Sequence, residues 1–469
     1  MNYGKIRIDQ ATIVKILFWM LVGFGLPFLI IRYGWFACLG MSFVFLSSWA
    51  VLFNPFVYLS LIMSVYLSGT SLMYYSSLGD ILDLLRWLFL GAASMVGVMK
   101  YIVNRERAKL DTFEKLFLMT CLAAFLSVVV SVNPLFSFFK SVTLIMLFVF
   151  LFFWYKGAVV MSLKREFLII QILVILAIVT IAWSMWMFFF YPENCFVMGN
   201  FRGALRNANT LGRLLGILGI PSFLYMYFTA QRKILKLFWG FLLTICFIML
   251  ISTHSRAGIG AGIISSFIML FLQRRKFIVW VVTASIVVGC FAYAYDPNIW
   301  GQSKDYVREN LIFKKRSPED FMGGRAQDWQ WLVSIIRTMP FFGVGFGAYP
   351  GVSEKWNPRF SSRGGFYETG NSYLDILVQV GTLGSIPVFL LISYLLLLEF
   401  RVIKYIWFEK SDLQDLPLIA FTSIIISGLF NAIFESWMFA VGNIITIVFW
   451  LVVYTQLISM NHAFNEGRY

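Results

Sequence analysis

The sequence predicts an all-α, polytopic integral membrane protein with about 14 transmembrane helices and one long polar loop. Two observations carry this prediction. Of the 469 residues, 60% are hydrophobic and only 13% are charged, and the mean hydropathy is +0.79. Soluble domains carry about a quarter charged residues, so this composition excludes an ordinary soluble enzyme. Apolar runs of roughly 20 residues, the length of one span, also recur along most of the chain.

The apolar runs place the spans in order. The chain begins with a short, weakly basic stretch that enters the first run without a small-residue cleavage site, so we expect an uncleaved anchor. The first spans are expected near 13–31, 34–53, 55–74, 84–102, 115–131, 138–155 and 166–190. The later ones are expected near 211–229, 236–252, 257–273, 277–295, 380–400, 417–435 and 438–457.

Basic residues set the orientation of these spans. With the N-terminus inside, the inner loops carry Lys and Arg clusters at 100–109, 156–165, 232–233, 274–276 and 401–404. These clusters fall on one side, as the positive-inside rule requires. Both ends are therefore expected in the cytoplasm and the long loop outside. We divide the chain into spans 1 to 11 (residues 1–295), an outer loop covering the candidate site (296–379), and spans 12 to 14 with a tail (380–469), all within one integrated domain.

The distribution of charge and the spacing of the cysteines limit which binding partners and cofactors are expected. The net charge of +15 would suit nucleic acid, but most Lys and Arg lie in the short inner loops, so no nucleic-acid partner is expected. The cysteines show no CxxC pairing or metal-ligand spacing: Cys38, Cys121, Cys195, Cys246 and Cys290. Only Cys195 is expected to be exposed. The sequence therefore predicts no disulfide framework, no metal centre and no cofactor.

The polar interval from about Asp296 to about Gly381 is too long for a simple connection between two helices, because such connections are usually short. Within it, residues 325–339 have helical periodicity. The apolar residues of this stretch share one face: Trp329, Leu332, Val333 and Ile336. This amphipathic helix either lies on the bilayer surface or points Arg325, in its first turn, at a ligand, and the two are compatible. We expect the interval to cover an active site.

Three outer arginines lie among small and polar residues rather than in Lys runs: Arg202 in Asn-Phe-Arg-Gly, Arg256 in His-Ser-Arg-Ala-Gly and Arg325 in Gly-Gly-Arg. A guanidinium is always charged and binds phosphate in a bidentate manner, so a metal-free phosphate site needs such residues. Each alone is more often an interface anchor. Together they favour a phosphate site.

The candidates for a general base are His254, Glu368 and Glu435. His254 lies beside Arg256, whose charge lowers its proton affinity, and a turn histidine explains it equally well. Glu368 lies near the end of the loop in Tyr-Glu-Thr-Gly-Asn-Ser. Glu435 ends a span, where an acid is a functional candidate by default, although one of the three arginines could be its ion-pair partner.

In this order the motifs resemble those of the O-antigen polymerase and O-antigen ligase superfamily. The matching segments lie between Arg202 and Gly384 and read Arg-Gly with Asn-x-Asn, Ser-Arg-Ala-Gly, Gly-Gly-Arg with Pro-Phe-Phe-Gly-Val-Gly-Phe-Gly, and Gly-Asn-Ser-Tyr-Leu-Asp. The resemblance implies a GT-C-like helical fold and a metal-independent, inverting glycosyltransferase. Its donor would be a glycan on undecaprenyl diphosphate at the periplasmic face of the bacterial inner membrane.

The resemblance also implies roles for single residues. By position it gives Arg202, Arg256 and Arg325 as ligands of the diphosphate, and Asn209, Asn371 and Tyr373 as substrate-binding candidates. Ligase relatives commonly carry a His, proposed as the base, where this chain has Gly370. This departure favours a polymerase, in which Glu368, or His254, takes the hydroxyl proton.

Three functions therefore stay open. The preferred one is a polymerase that joins lipid-linked repeat units into capsule, O-antigen or exopolysaccharide, with membrane lipids and a chain-length regulator as further candidate partners. A ligase would move the glycan to lipid A core or to protein, and differs only in its acceptor. A flippase or transporter would carry charged residues at mid-membrane depth in two related halves, whereas this chain has its charges at one face and no evident symmetry between halves.

Overall fold

The computed structural model describes Leu46 and residues 55–71, 79–103, 110–157, 165–197, 199–273, 325–348, 370–408 and 416–465. The predicted spans 13–31 and 277–295, and 34–53 apart from Leu46, lie outside these residues. The helices before residue 200 are α1 (Pro55–Gly69), α2 (Gly79–Val103), α3 (Thr112–Leu126), α4 (Pro134–Val149) and α5 (Arg165–Phe190). The later ones are α6 (Ala208–Arg213), α7 (Ile220–Thr229), α8 (Lys233–Ser252), α9 (Arg256–Leu272), α10 (Arg325–Thr338), α11 (Ser372–Phe408), α12 (Leu416–Asn431) and α13 (Ile444–Asn465).

Most of these helices have the composition of membrane spans. Within the described residues, seven segments are long and apolar enough to cross a membrane: Leu84–Val103, Thr112–Val130, Pro134–Tyr155, Glu166–Phe190, Ala208–Thr229, Lys233–Ser252 and Ser372–Phe408. Shorter apolar helices lie at Val57–Gly69, Arg256–Leu272, Leu416–Asn431 and Ile444–Met460. Each coincides with a span expected from the sequence, so the chain is a helical membrane protein. The total of about 14 spans stays a prediction.

Helix α11 begins earlier than the span expected at 380–400. Asn371 caps it, because its Oδ1 accepts hydrogen bonds from the backbone N of Tyr373 at 2.9 Å and of Leu374 at 3.0 Å. The helix then passes a break at Gly381, where φ is 70°. Glycine adopts this backbone conformation without steric cost. The break makes room for the preceding segment, since a Cβ at Gly381 would lie 2.3 Å from the carbonyl oxygen of Phe341.

Helix α10 packs on the first turns of α11. It buries Leu332 and Ile335 against Val378 of α11. The apolar face expected from the sequence is therefore wrong in part, because Val333 is 37% exposed and Ile335 takes its place in the contact. The glycine-rich turn after α10 is tied to the same helix, since the backbone N of Val344 donates to the carbonyl oxygen of Val378 at 2.9 Å.

Small residues bring the start of α9 against α6. A Cβ built at Gly216, in the π-helical turn Leu214–Gly219 that follows α6, would lie 2.3 Å from the carbonyl oxygen of Gly258. A side chain there would push the two helices apart, because close backbone approach in membrane helices depends on small residues. This contact fixes the position of Arg256, which opens α9.

The polar connections between spans meet at one end of the bundle, called the outer end below because the sequence predicts that it faces outward. The backbone N of Arg206 donates to the carbonyl oxygen of Thr70 at 2.9 Å, which joins the connection before α6 to the end of α1. The backbone N of Val132 donates to the carbonyl oxygen of Val344 at 3.0 Å, which joins the connection after α3 to the glycine-rich turn.

The opposite end, called the inner end below because the sequence predicts that it faces the cytoplasm, holds an ion pair. Lys156 Nζ lies 2.6 Å from Oε1 of Glu114, which is fully buried. Oε2 of Glu114 accepts from the backbone N of Asp111 at 2.9 Å in a capping box at the start of α3. The hydroxyl of Tyr454, on α13, also donates to Glu114. This carboxylate therefore joins three separate parts of the chain.

One carboxyl departs from the expectation that charged residues keep to one face. Glu399 lies within the span Ser372–Phe408 and is buried. Gln456 Nε2 donates to its Oε2 at 3.2 Å and to Oγ1 of Thr422 at 3.3 Å. The side chains of α11, α12 and α13 therefore meet through polar groups inside the bundle.

Candidate active site

An ion pair between Arg325 and Glu435 lies at the outer end. Nη2 of Arg325 is 2.8 Å from Oε1 of Glu435. Arg325 is the first residue of α10, and Glu435 lies in the irregular connection that follows α12. The arginine side chain is 20% exposed and the carboxylate 3%. The ion-pair partner that the sequence left open among three arginines is therefore Arg325.

The backbone around Glu435 is fixed by the residues that open α11. Ser372 Oγ donates to the carbonyl oxygen of Glu435 at 2.7 Å and accepts from the backbone N of Trp437 at 3.1 Å. Ser436 Oγ accepts from the backbone N of Asn371 at 3.1 Å. The start of α11 and the connection after α12 thus form one hydrogen-bonded unit.

Gly370 lies against Arg325 in this unit. Its φ is 70°, and a Cβ built there would lie 3.0 Å from Nε of Arg325. A side chain at this position would require the arginine side chain to shift slightly. The departure noted in the sequence, glycine where ligase relatives commonly carry histidine, therefore coincides with the close approach of Arg325 to the backbone.

Asn371 and Tyr373 have visible structural partners. The Asn371 side chain caps α11, as described above, and is buried. The hydroxyl of Tyr373 donates to the carbonyl oxygen of Leu429 at 2.8 Å, near the end of α12. Both residues therefore shape the site through contacts within the protein, and their expected contact with substrate stays a prediction.

Arg202 belongs to a small hairpin of β1 (Phe196–Val197) and β2 (Asn200–Phe201). Its Nε donates to the carbonyl oxygen of Asn194 at 2.9 Å, and its side chain is half-buried. Cys195, expected to be exposed, is buried instead, and its Sγ donates to the carbonyl oxygen of Tyr191 at 3.6 Å. Burial raises the pKa of its thiol, and the charge of Arg202 opposes that rise.

His254 connects this hairpin to the turn that carries Arg256. Its Nδ1 lies 3.2 Å from Oδ1 of Asn200, and its φ is 51°, a conformation uncommon outside glycine. Ser255 caps α9 by accepting from the backbone N of Gly258 at 3.3 Å, so Arg256 stands in the first turn. Two of the candidate arginines are thus held in neighbouring turns.

Asn209 stands in the first turn of α6. Its backbone N donates to Oδ1 of Asn207, the cap of that helix, at 2.9 Å. The side chain of Asn209 is half-buried. The Asn-x-Asn motif therefore starts a helix, and substrate contact by Asn209 is a further prediction.

Packing between α9 and α12 places these two groups at the same end. A Cβ at Gly260, one turn after Arg256, would lie 2.9 Å from the ring of Phe430. The ring of Phe430 is 5.4 Å from that of Phe434, which precedes Glu435. The start of α9 and the end of α12 are therefore neighbours at the outer end.

Some residues of the site escaped the sequence analysis, and one candidate is not among the described residues. Ser372 and Ser436 hold the unit together; the signal that could have found them is their place next to Asn371 and Glu435. Glu368 lies outside the described residues. Within the part of the chain that is described, no group of three His, Cys, Asp or Glu side chains is arranged to hold a metal ion.

The fold and this site define a helical membrane protein with a guanidinium–carboxylate centre among irregular turns at one end. Residues 239–389 match a family model described as O-antigen ligase. The match confirms the resemblance to the O-antigen ligase and polymerase superfamily, which transfers glycosyl groups. It includes Arg256, Arg325, Gly370 and Asn371, whereas Arg202 and Glu435 lie beyond it. No curated protein matches the chain.

Proposed function

We propose that this chain is a polysaccharide polymerase that joins repeat units carried on undecaprenyl diphosphate. The observation that carries the proposal is the outer-end unit in which Arg325, Glu435 and the glycine at position 370 meet, within or beside the segment that matches the O-antigen ligase family. An arginine beside irregular backbone at the end of membrane spans suits a phosphate carried by a lipid.

The reaction transfers a glycan without an intermediate on the protein. A hydroxyl of the acceptor repeat unit attacks the anomeric carbon of the donor glycan, and the bond from that carbon to the diphosphate oxygen breaks with inversion. The leaving diphosphate gains negative charge, which Arg202, Arg256 and Arg325 stabilise. Such electrostatic stabilisation of a leaving group is commonly the largest catalytic contribution.

The hydroxyl proton needs an acceptor. We assign it to Glu368, with His254 and Glu435 as alternatives. His254 is the weaker candidate, because it stands beside Arg256, whose positive charge lowers its proton affinity. Glu435 already accepts from Arg325 at 2.8 Å, so it is less available to take the hydroxyl proton. Asn209, Asn371 and Tyr373 would line the sugar path.

A ligase is the second candidate, because the family model that matches carries the description O-antigen ligase. The close approach at Gly370 favours the polymerase, since a Cβ at that position would lie 3.0 Å from Nε of Arg325 and a side chain there would crowd the guanidinium. The experiment that separates them offers purified protein two acceptors at once, a lipid-linked repeat unit and lipid A core. A polymerase lengthens the glycan on the carrier lipid. Transfer to lipid A core alone would overturn the assignment.

We also propose that the site faces the periplasm and that both chain ends are cytoplasmic. Single cysteines introduced at Asp305 and Phe360, in a chain without its native cysteines, should react with an impermeant thiol reagent in intact cells. Cysteines at Arg275 and Tyr405 should react only after the inner face is opened. The reverse pattern would overturn the orientation and the location of the site with it.

A further inference from the structure

The guanidinium of Arg325 is already occupied by an anion of the protein itself. Glu435 Oε1 lies 2.8 Å from Nη2 of Arg325, and the carboxylate is 3% exposed. A phosphate that binds Arg325 must therefore compete with this carboxylate. Breaking a buried pair leaves a charge without its partner, which is costly.

The carboxylate is not on a segment that can easily move aside. The carbonyl oxygen of Glu435 accepts from Ser372 Oγ, and the next residue, Ser436, accepts from the backbone N of Asn371. The backbone N of Trp437 donates to Ser372 Oγ. Because the backbone is held on both sides, the ion pair with Arg325 can break only by rotation of the Glu435 side chain.

A membrane surface presents a large excess of competing phosphates. Anionic phospholipid headgroups such as phosphatidylglycerol carry one net negative charge, whereas the choline of phosphatidylcholine balances its phosphate. A bare guanidinium binds the phosphate oxygens of an anionic headgroup readily. Exchanging a fixed carboxylate for a phosphodiester replaces one negative charge by another and gains little. A diphosphate brings more charge and more acceptor oxygens, so it can offset the cost of displacing Glu435.

We propose that Glu435 is a specificity-determining residue: a resident anion that weakens phosphate binding at Arg325 enough to keep singly charged lipid phosphates out while a diphosphate still binds. This inference rests on the proposed function, which supplies the diphosphate lipid. It assigns Glu435 a role different from proton transfer, namely control of which anion reaches Arg325.

The test measures binding of farnesyl diphosphate to the full-length protein in nanodiscs, made either of phosphatidylcholine or of a mixture with phosphatidylglycerol. In the neutral bilayer, Glu435→Gln should bind the probe about tenfold tighter than the wild type, the low end of what a charge-assisted hydrogen bond contributes. In the anionic bilayer the affinity ratio of Glu435→Gln to wild type should fall toward one, because phosphatidylglycerol then occupies Arg325 in the variant. The surface potential acts equally on both proteins and cancels in their ratio.

Two further variants keep the test decisive. Glu435→Asp keeps the charge but shortens the side chain, so it should shift affinity in the same direction by less. Glu114→Gln removes the charge from the matched acid–cation pair at the inner end, and should bind the probe like the wild type in both bilayers.

The outcomes separate this inference from the proposed function. Weaker binding by Glu435→Gln in the neutral bilayer would mean that the carboxylate only positions Arg325, and would overturn the inference. An equal gain in both bilayers would overturn it too, because lipid phosphates would then not be what Glu435 excludes. If the wild type binds farnesyl diphosphate no better than Arg325→Ala does, the diphosphate site of the proposed function fails, and the inference with it.

Discussion

The two ends of the bundle each hold an acid–cation pair, and the pairs differ in what surrounds them. At the inner end, Glu114 accepts from Lys156, from the backbone N of Asp111 and from Tyr454, all on or beside regular helices. At the outer end, Glu435 meets Arg325 among turns that follow or precede helices. The Glu114 carboxylate therefore links separate helices through its hydrogen bonds.

From this difference we expect one pair to serve stability and the other to serve function. A carboxylate whose oxygens serve a cation, a helix cap and a phenol has its hydrogen-bonding capacity used within the fold. The guanidinium of Arg325 is 20% exposed and lies beside a glycine with positive φ, so part of its surface is accessible. We therefore expect changes at the outer pair to alter turnover and changes at the inner pair to alter stability.

The largest effect is expected from Arg325→Ala, which should lower polymer formation about 10³-fold, because removing one preorganised charge stabiliser commonly costs 10²–10³. Arg202→Ala and Arg256→Ala should abolish detectable polymer in the same way. Lys replacements should rescue poorly, since an ammonium does not reproduce the bidentate fork. Lengthening of purified lipid-linked repeat units is the measurement.

The matched control is Lys156→Ala, which removes the cation of the inner pair. It should keep most of the turnover per folded molecule. Near-normal polymer formation by all three arginine variants would contradict the proposed role of the outer end. Equal losses of turnover in Arg325→Ala and Lys156→Ala would contradict the difference between the two pairs.

The next largest effect is expected at the proton acceptor. Glu368→Gln should lower turnover at least about 10²-fold, the lower figure for general-base catalysis, whereas His254→Ala should cost much less. Initial rates with purified lipid-linked repeat units measure both. Wild-type turnover in Glu368→Gln combined with an inactive His254→Ala would reverse the two assignments.

A smaller effect is expected from Gly370→Ala. A Cβ at this position would lie 3.0 Å from Nε of Arg325, so the guanidinium must shift, and turnover should fall about tenfold. Gly199→Ala is the matched control, because Gly199 also has a positive φ, of 77°, but a Cβ there meets nothing within 4 Å. Both variants should lose about 1–3 kcal/mol of stability from backbone strain. Equal turnover in the two would show that the approach to Arg325 is irrelevant.

The smallest effect on turnover is expected from Glu114→Gln. It should lower the thermal unfolding temperature, because a hydrogen bond to a charged group contributes about 1.5–3 kcal/mol, and leave turnover per folded molecule unchanged. Thermal unfolding in detergent, followed by the activity of the surviving fraction, gives both quantities. A loss of turnover without a loss of stability would place function at the inner end as well.

The spans within the described residues were predictable, because they depend on composition alone. Runs such as 84–102 and 166–190 need only be long and apolar, and the structure has the helices Leu84–Val103 and Glu166–Phe190 there. The start of α11 was missed, because a polar cap at Asn371 opens a helix inside a polar segment. Hydropathy cannot detect a helix that begins before its apolar part.

Candidate residues for the site could be chosen from the sequence, but their pairings could not. Arg325 and Glu435 were singled out by their neighbours in sequence, yet 110 positions separate them, and several arginines could have served as partner. The hydrogen bonds of Ser372 depend on the return of the chain after α12, which no local pattern encodes. The close approach of Gly370 to Arg325 is likewise a consequence of the tertiary structure.

The central claim is that the outer-end arginines stabilise a diphosphate leaving group during glycosyl transfer. The most direct measurement counts, with purified protein, lipid-linked repeat units and a metal chelator, both the glycosidic bonds formed and the undecaprenyl diphosphate released. We predict equal amounts of the two for the wild type, and a parallel loss of both for Arg325→Lys. Bond formation without release of the diphosphate lipid, or undiminished release by Arg325→Lys, would contradict the account.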